Sequence, residues 1–122
     1  MAGMLTIHVL DTMHGCPAAD MQIQLWSLTL SGEHEQRVLL KTVHTKDTGR
    51  TATPLLQGEE LVVGYYELLF AVHAYFISRG LLLPNPPFLD LVPVRFGIAD
   101  VEAHYHVPLL VSPWAYSTYR GS

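Results

Sequence analysis

The chain has a single cysteine, Cys16, among its 122 residues. A lone thiol cannot close an internal disulfide, which excludes the small secreted scaffolds held by several bridges and points to a reducing compartment. Positive charge is scarce too. Seven Lys and Arg against eleven Asp and Glu leave a net charge of −4 and no basic stripe to follow a phosphate backbone, so nucleic acid is not an expected partner. Uninterrupted apolar runs are missing: Glu67 and His73 break the stretch from Tyr65 to Phe76, and prolines break the one from Leu81 to Val94. The opening MAGMLTIHVLD has no basic segment followed by an apolar leader, and Arg120-Gly121-Ser122 is not the usual peroxisomal address. The expectation is a cytoplasmic protein without a membrane partner. Also absent are a nucleophile elbow, a Walker loop, a dinucleotide fingerprint and an HExxH pair.

Apolar material is plentiful. Hydrophobic residues make up 49% of the chain and charged residues 15%. A single domain covering residues 1–122 is expected, and a chain of this size buries roughly two thirds of its unfolded surface. So little charge does not cover a whole surface, which implies that some apolar area is shared with another chain.

Leu5, Ile7 and Val9 alternate with Thr6, His8 and Leu10, the period-two pattern of a strand with one face on the core. His8 then points away from the core. Met21, Ile23 and Leu25 repeat the pattern after a turn at Asp11 to Pro17, and Arg37 to His44 reads as a third strand. Lys46-Asp47-Thr48-Gly49 is a turn that delivers Arg50. Leu61 to Ala71 reads as a long strand, with Gly64 a bulge or close-approach point, and His73 to Arg79 as two helical turns ended by Gly80. Strands follow at Val92 to Ile98, His104 to Val111 and Ala115 to Arg120. The fold class is all-β, an antiparallel sandwich of seven or eight strands with one short helix.

Alternation puts His104 and His106 on one face and Tyr105 and Val107 on the other. Two histidines two apart on a strand suggest a site, and His8 is able to join them. Three histidines suit a zinc ion with an open position, although neither a cysteine partner nor an HExxH spacing accompanies them. Arg50 on local grounds is a surface charge, and Cys16 sits in a turn with no recognisable base. The Tyr116-Ser117-Thr118-Tyr119-Arg120 stretch predicts a packed rather than frayed terminus.

Three segments carry a resemblance. They are Leu5-Thr-Ile-His8-Val-Leu-Asp-Thr with Gly15-Cys-Pro-Ala-Ala, the turn Thr48-Gly49-Arg50-Thr51, and His104-Tyr-His106-Val-Pro-Leu-Leu running on to Tyr119-Arg120-Gly121-Ser122. Together they resemble the 5-hydroxyisourate hydrolase family, transthyretin-like proteins, over nearly the whole chain. The closing Tyr-Arg-Gly-Ser is the most specific element, because it ends the hydrolases and separates them from the carrier transthyretin.

The resemblance implies a transthyretin-like (prealbumin) sandwich assembled as a homotetramer, a dimer of dimers with active sites at the dimer–dimer interface. It implies hydrolysis of a small-molecule substrate, the lactam 5-hydroxyisourate of urate degradation, with no metal or organic cofactor. His8, Arg50, His106 and Ser122 become the expected catalytic residues, and His8, Arg50 and Tyr119 the substrate-binding ones. Either histidine suits the general base, Arg50 clamps substrate and keeps imidazole neutral, Tyr119 offers a ring face or hydroxyl, and Ser122 lies near the water. His104 is expected to support the site or the fold. In this chain the acidic residue of the turn, Asp47, stands one place earlier than in the family, so the hold on Arg50 is open to change. The rivals are a non-enzymatic small-ligand carrier and a zinc hydrolase on His8, His104 and His106.

Overall fold

The computed structural model describes residues 2–122. Strands β1 (Met4–Asp11), β2 (Cys16–Pro17), β3 (Gln22–Ser31), β4 (His34–His44) and β5 (Leu56–Gln57) precede a 3-10 turn at Gly58–Glu60. Then come β6 (Gly64–Ala71), helix α1 (Val72–Ser78), β7 (Leu91–Ile98), β8 (His104–Val111) and β9 (Tyr116–Thr118). One sheet runs β2-β1-β8-β9 with β5 also paired to β1, and the other runs β4-β3-β6-β7. The all-β sandwich with one short helix is as expected. The strand tally is higher because β2 and β5 are two-residue pieces too short to show a period. All pairs are antiparallel except β1 with β8, which run parallel with Thr6 beside His106 and His8 beside Pro108.

Both sheets turn their alternate residues inward. Leu5, Ile7 and Val9 from β1, Ile23 and Leu25 from β3, Leu68 and Phe70 from β6, and Leu109 and Val111 from β8 form one buried cluster. Each such side chain adds about 1.5–3 kcal/mol by leaving water. The price of that inward alternation is that β1 and β8 must send Thr6, His8, His104 and His106 outward.

Some boundaries differ from the sequence pattern. The strand expected from Leu61 begins at Gly64, because Gly58–Glu60 form a 3-10 turn closed by a capping box between Gln57 and Glu60. Gly64 is no bulge: it pairs regularly with Ile98, and a Cβ there would meet nothing within 4 Å. The register shift lies instead between Leu25 and Trp26. Gly80 does end α1, with a φ of +88° and its amide donating to the Ile77 carbonyl at 2.9 Å.

Leu81, Leu83 and Leu89 tuck against the core while Leu82 and Phe88 stay exposed, so the apolar segment before β7 is half anchored. Among the described residues no helix is long and apolar enough to cross a membrane.

Candidate functional site

The outward face of β1 and β8 carries the site. Their parallel register sets Thr6 between two imidazoles: its Oγ1 lies 2.7 Å from His104 Nε2 and 2.7 Å from His106 Nδ1. The two rings stand 6.0 Å apart at 61°. Tyr105, between them in sequence, faces inward, and its hydroxyl accepts from the amides of Ala99 and Asp100 at 3.0 and 2.9 Å. Those bonds fix where β8 starts, and so which residues reach the outer face.

Arg50 arrives on the turn after β4. The turn is closed by the Lys46 amide donating to the Arg50 carbonyl at 2.7 Å and by the Gly49 amide donating to the Lys46 carbonyl at 2.8 Å. The Val9 amide donates to the Gly49 carbonyl at 2.9 Å, which pins the turn to β1. Gly49 has a φ of +77°, and a Cβ on it would stand 2.4 Å from the Val9 carbonyl oxygen, so the contact admits only glycine. The displaced acid matters little here. Main-chain bonds hold the turn, Thr48 Oγ1 accepts weakly from the Arg50 amide at 3.3 Å, and Asp47 is exposed. The same turn orients His8, whose Nε2 donates to the Thr48 carbonyl at 3.0 Å. A carbonyl only accepts, so neutral His8 keeps its lone pair on Nδ1.

The chain's last segment closes one side. The Gly121 amide donates to the His106 carbonyl at 2.8 Å, Thr118 Oγ1 donates to the Pro108 carbonyl at 2.7 Å, and the Arg120 guanidinium lies 4.1 Å over the Tyr105 ring. These contacts tie the terminus down, but the side chains of residues 116–120 are exposed, so the packing expected from the Tyr116–Arg120 stretch is not found within the single chain. A Cβ on Gly121 would stand 2.7 Å from His106 Cδ2, so the backbone passes directly against the imidazole.

A cavity of about 330 Å³ results, lined by Thr6, Ile7, Arg50, Thr51, Ala52, Thr53, Pro54, His104, His106 and Ser122. Among the described residues that line it there is no Asp or Glu. Of the expected residues, Arg50, His106 and Ser122 therefore meet in one place. His8 sits one outward position along β1 from Thr6 and stays off the cavity wall, close enough to His106 and Arg50 to interact through charge. Tyr119 borders a second, more apolar cavity with Val94, Phe96, Tyr105 and Arg120. The β8–β9 ladder ends at Leu109 with Thr118, and His106 with Gly121 is a separate bridge at the same offset, which sets Tyr119 across from Pro108, in the row of His8.

Burial and then the Arg50 guanidinium hold His106 below its ordinary value, with His104 and His8 adding to the effect. Burial and Arg50 lower His8 as well, partly offset by its bond to Thr48. Both rings are thus biased toward the neutral, basic form. His8, His104 and His106 do not converge on a point: among the described residues no three His, Cys, Asp or Glu side chains form a metal-binding group. Thr6 and Gly121 are the participants that sequence reasoning passed over. Thr6 shares the outward face with His8, a signal that gains meaning only once β1 is known to lie beside β8.

Compared with known proteins, residues 5–121 match the model of the HIUase/Transthyretin family. The chain belongs to that family. A family relative, the 5-hydroxyisourate hydrolase of Ralstonia nicotianae, is 55% identical over 98% of this chain and 99% of its own. Among solved structures, an (S)-allantoin synthase superposes with a TM-score of 0.91 at 49% identity, covering 99% of this chain but only 44% of that longer one. Sea bream transthyretin in complex with thyroxine superposes at 0.83 with 26% identity, over 96% of this chain and 93% of that one. The same fold is thus found holding thyroxine in that protein, and fold by itself does not choose between carrier and enzyme.

Proposed function

We propose that this chain hydrolyses 5-hydroxyisourate to 2-oxo-4-hydroxy-4-carboxy-5-ureidoimidazoline in urate degradation, with histidine-activated water and an arginine clamp. The observation that carries the reading is the cavity that joins Arg50, His106 and Ser122 with no acidic side chain on its wall. Among the described residues no carboxylate side chain pairs with Arg50. A guanidinium with no carboxylate side chain beside it, next to imidazoles biased toward the neutral form, suits an oxygen-rich, partly anionic planar substrate. An apolar carrier channel has no use for it.

His106 is the general base of this scheme, because it lines the cavity and, among the described residues, its Nε2 has no hydrogen-bond partner while Nδ1 meets Thr6. Nε2 takes a proton from water as the oxygen attacks the lactam carbonyl. Negative charge then grows on the carbonyl oxygen, where Arg50 stabilises it. The C–N bond breaks as the ring nitrogen receives the proton from His106, and the product leaves as a carboxylate, releasing one proton to solvent. His8 orients water from the neighbouring row, and Ser122 contributes its hydroxyl to the same water. No step calls for a metal or organic cofactor.

Tyr119 acts from a neighbouring subunit in the proposed homotetramer, a dimer of dimers with the sites at the dimer–dimer interface. The shallow single-chain cavity and the exposed side chains of Tyr119 and Trp114 support a shared site. A single domain acting in the cytoplasm completes the proposal.

The test is the ultraviolet decay of freshly made 5-hydroxyisourate with chelator present. Decay well above the spontaneous rate, abolished by His106→Ala, is the expected result. Decay at the spontaneous rate returns the carrier reading, and activity lost to chelator and restored by zinc returns the metal reading. Sedimentation at micromolar concentration is expected to show a tetramer.

A further inference from the structure

The scheme above leaves Thr6 and His104 without a part, and their geometry gives them one. A hydroxyl has a single proton to donate, whereas its oxygen accepts twice. Thr6 therefore cannot donate to both His104 Nε2 and His106 Nδ1, each 2.7 Å away. At least one ring must carry its proton on the nitrogen facing Thr6. The choice matters for chemistry. If His106 bears its proton on Nδ1, the Nε2 lone pair is free for water; if Thr6 donates to Nδ1, Nε2 is already protonated and His106 is no base.

The demand sharpens as the reaction proceeds. Once Nε2 has taken a proton from water, His106 has N–H at both nitrogens, and Nδ1 must donate to Thr6. Thr6 Oγ1 accepts most strongly when its own proton is drawn toward the His104 Nε2 lone pair, since hydrogen bonds in a chain polarise one another. The chain His106 to Thr6 to His104 thus favours the charged state of the base that exists only during catalysis.

Protonating His104 has the opposite effect. Its Nε2 becomes a second donor on the same oxygen, the Thr6 proton loses its acceptor, and a cation stands 6.0 Å from the His106 ring. Besides His104, Arg50 from the turn and His8 from β1 act on His106 through charge, and both oppose its protonation; Ser122 lines the same cavity. His104 is exposed, which lets it exchange protons with solvent.

We propose that Thr6 is a positioning residue that accepts from His106 Nδ1 and donates to His104 Nε2, making His104 a solvent-facing, proton-sensitive control on the base. The kinetic consequence rests on the hydrolase reading; the tautomer does not. Nitrogen-15 NMR of labelled histidines in the assembled protein at neutral pH is expected to show His106 as the Nδ1–H form and His104 with a bare Nε2. Thr6→Val is expected to mix the His106 tautomers and lower kcat roughly tenfold to a hundredfold with little change in KM, as small displacements of a reacting group do. Thr6→Ser restores both.

His104→Gln keeps an acceptor for the Thr6 proton, so His106 is expected to stay in the Nδ1–H form, while one of the charges that oppose imidazolium at His106 is gone and the acid limb of the profile moves to higher pH. An Nε2–H His106 in the unaltered protein overturns the proposal. So does a Thr6→Val protein with unchanged tautomers and unchanged kcat. If the unaltered protein leaves 5-hydroxyisourate at its spontaneous rate, the hydrolase reading fails alone, and the NMR result still decides the Thr6 to His104 link.

Discussion

The two outer faces of the sandwich carry their polar residues in opposite ways. On the β4-β3-β6-β7 sheet, Glu67 is buried and receives Arg37 at 2.7 Å and Arg95 at 3.3 Å. Arg95 also pairs with Glu35 at 2.7 Å, and Arg37 lies 4.9 Å over the Trp26 ring. Two arginines meet two glutamates, and every charge is answered within the face. On the β1–β8 face a guanidinium and three histidines gather beside a cavity with no acidic side chain on its wall. Polar residues that neutralise one another support a fold, and polar residues left open await something from outside.

The largest expected effect breaks the open face. Arg50→Ala is expected to lower kcat about a hundredfold to a thousandfold, the usual loss when one donor to a developing oxyanion is removed. Its side chain is exposed, so the melting temperature should stay near that of the unaltered protein. Steady-state kinetics beside thermal melts check the pair of statements. A large fall in melting temperature would make Arg50 a structural charge like those of the other sheet.

Glu67→Ala sharpens the contrast from the other side. It takes the carboxylate from Arg37 and leaves Arg95 with Glu35 alone, with an expected cost of about 1–3 kcal/mol in stability and little change in kcat/KM at a temperature where the variant is folded. Denaturant titration and the decay assay read the two quantities separately. An activity loss without destabilisation would show that the two faces are coupled.

How much of this the chain announces in its sequence depends on the face. Alternation identifies β1, β3 and β8 because each has one face on the core, and it gives the outward direction of His8, His104 and His106. It finds β4 only from Arg37, three residues late, because His34 to Leu40 are exposed and no buried stripe marks the strand's start. It also cannot tell which strands are neighbours. The parallel pairing of β1 with β8 joins residues about a hundred apart, and Thr6 becomes part of the site only through it. The Gly49 and Gly121 contacts are hidden for a related reason, since both exist to admit a ring or carbonyl from another strand.

Gly121→Ala tests how tightly that open face is held. The added Cβ would stand 2.7 Å from His106 Cδ2, so either the imidazole or the last residues must shift by several tenths of an ångström. A roughly tenfold loss in kcat is expected, because a misplacement of about 1 Å can cost as much as a hundredfold. His106 chemical shifts should move while those of Glu67 and Arg95 do not.

The smallest effect is a matter of pH. A general base works only when neutral, so kcat/KM is expected to stay level through neutral pH and fall on the acid side as His106 takes up a proton. Burial, Arg50 and the neighbouring histidines hold that ring below its ordinary value, which places the acid limb below the range of a free histidine. Arg50→Gln keeps enough polarity for residual turnover but removes one of the causes. The sign follows directly: without the guanidinium, imidazolium is less disfavoured, its proton is held to higher pH, and the acid limb moves upward toward the ordinary histidine value. Glu67→Gln on the saturated face leaves the limb where it was. A profile that shifts with Glu67 and not with Arg50 would reverse the assignment of the two faces.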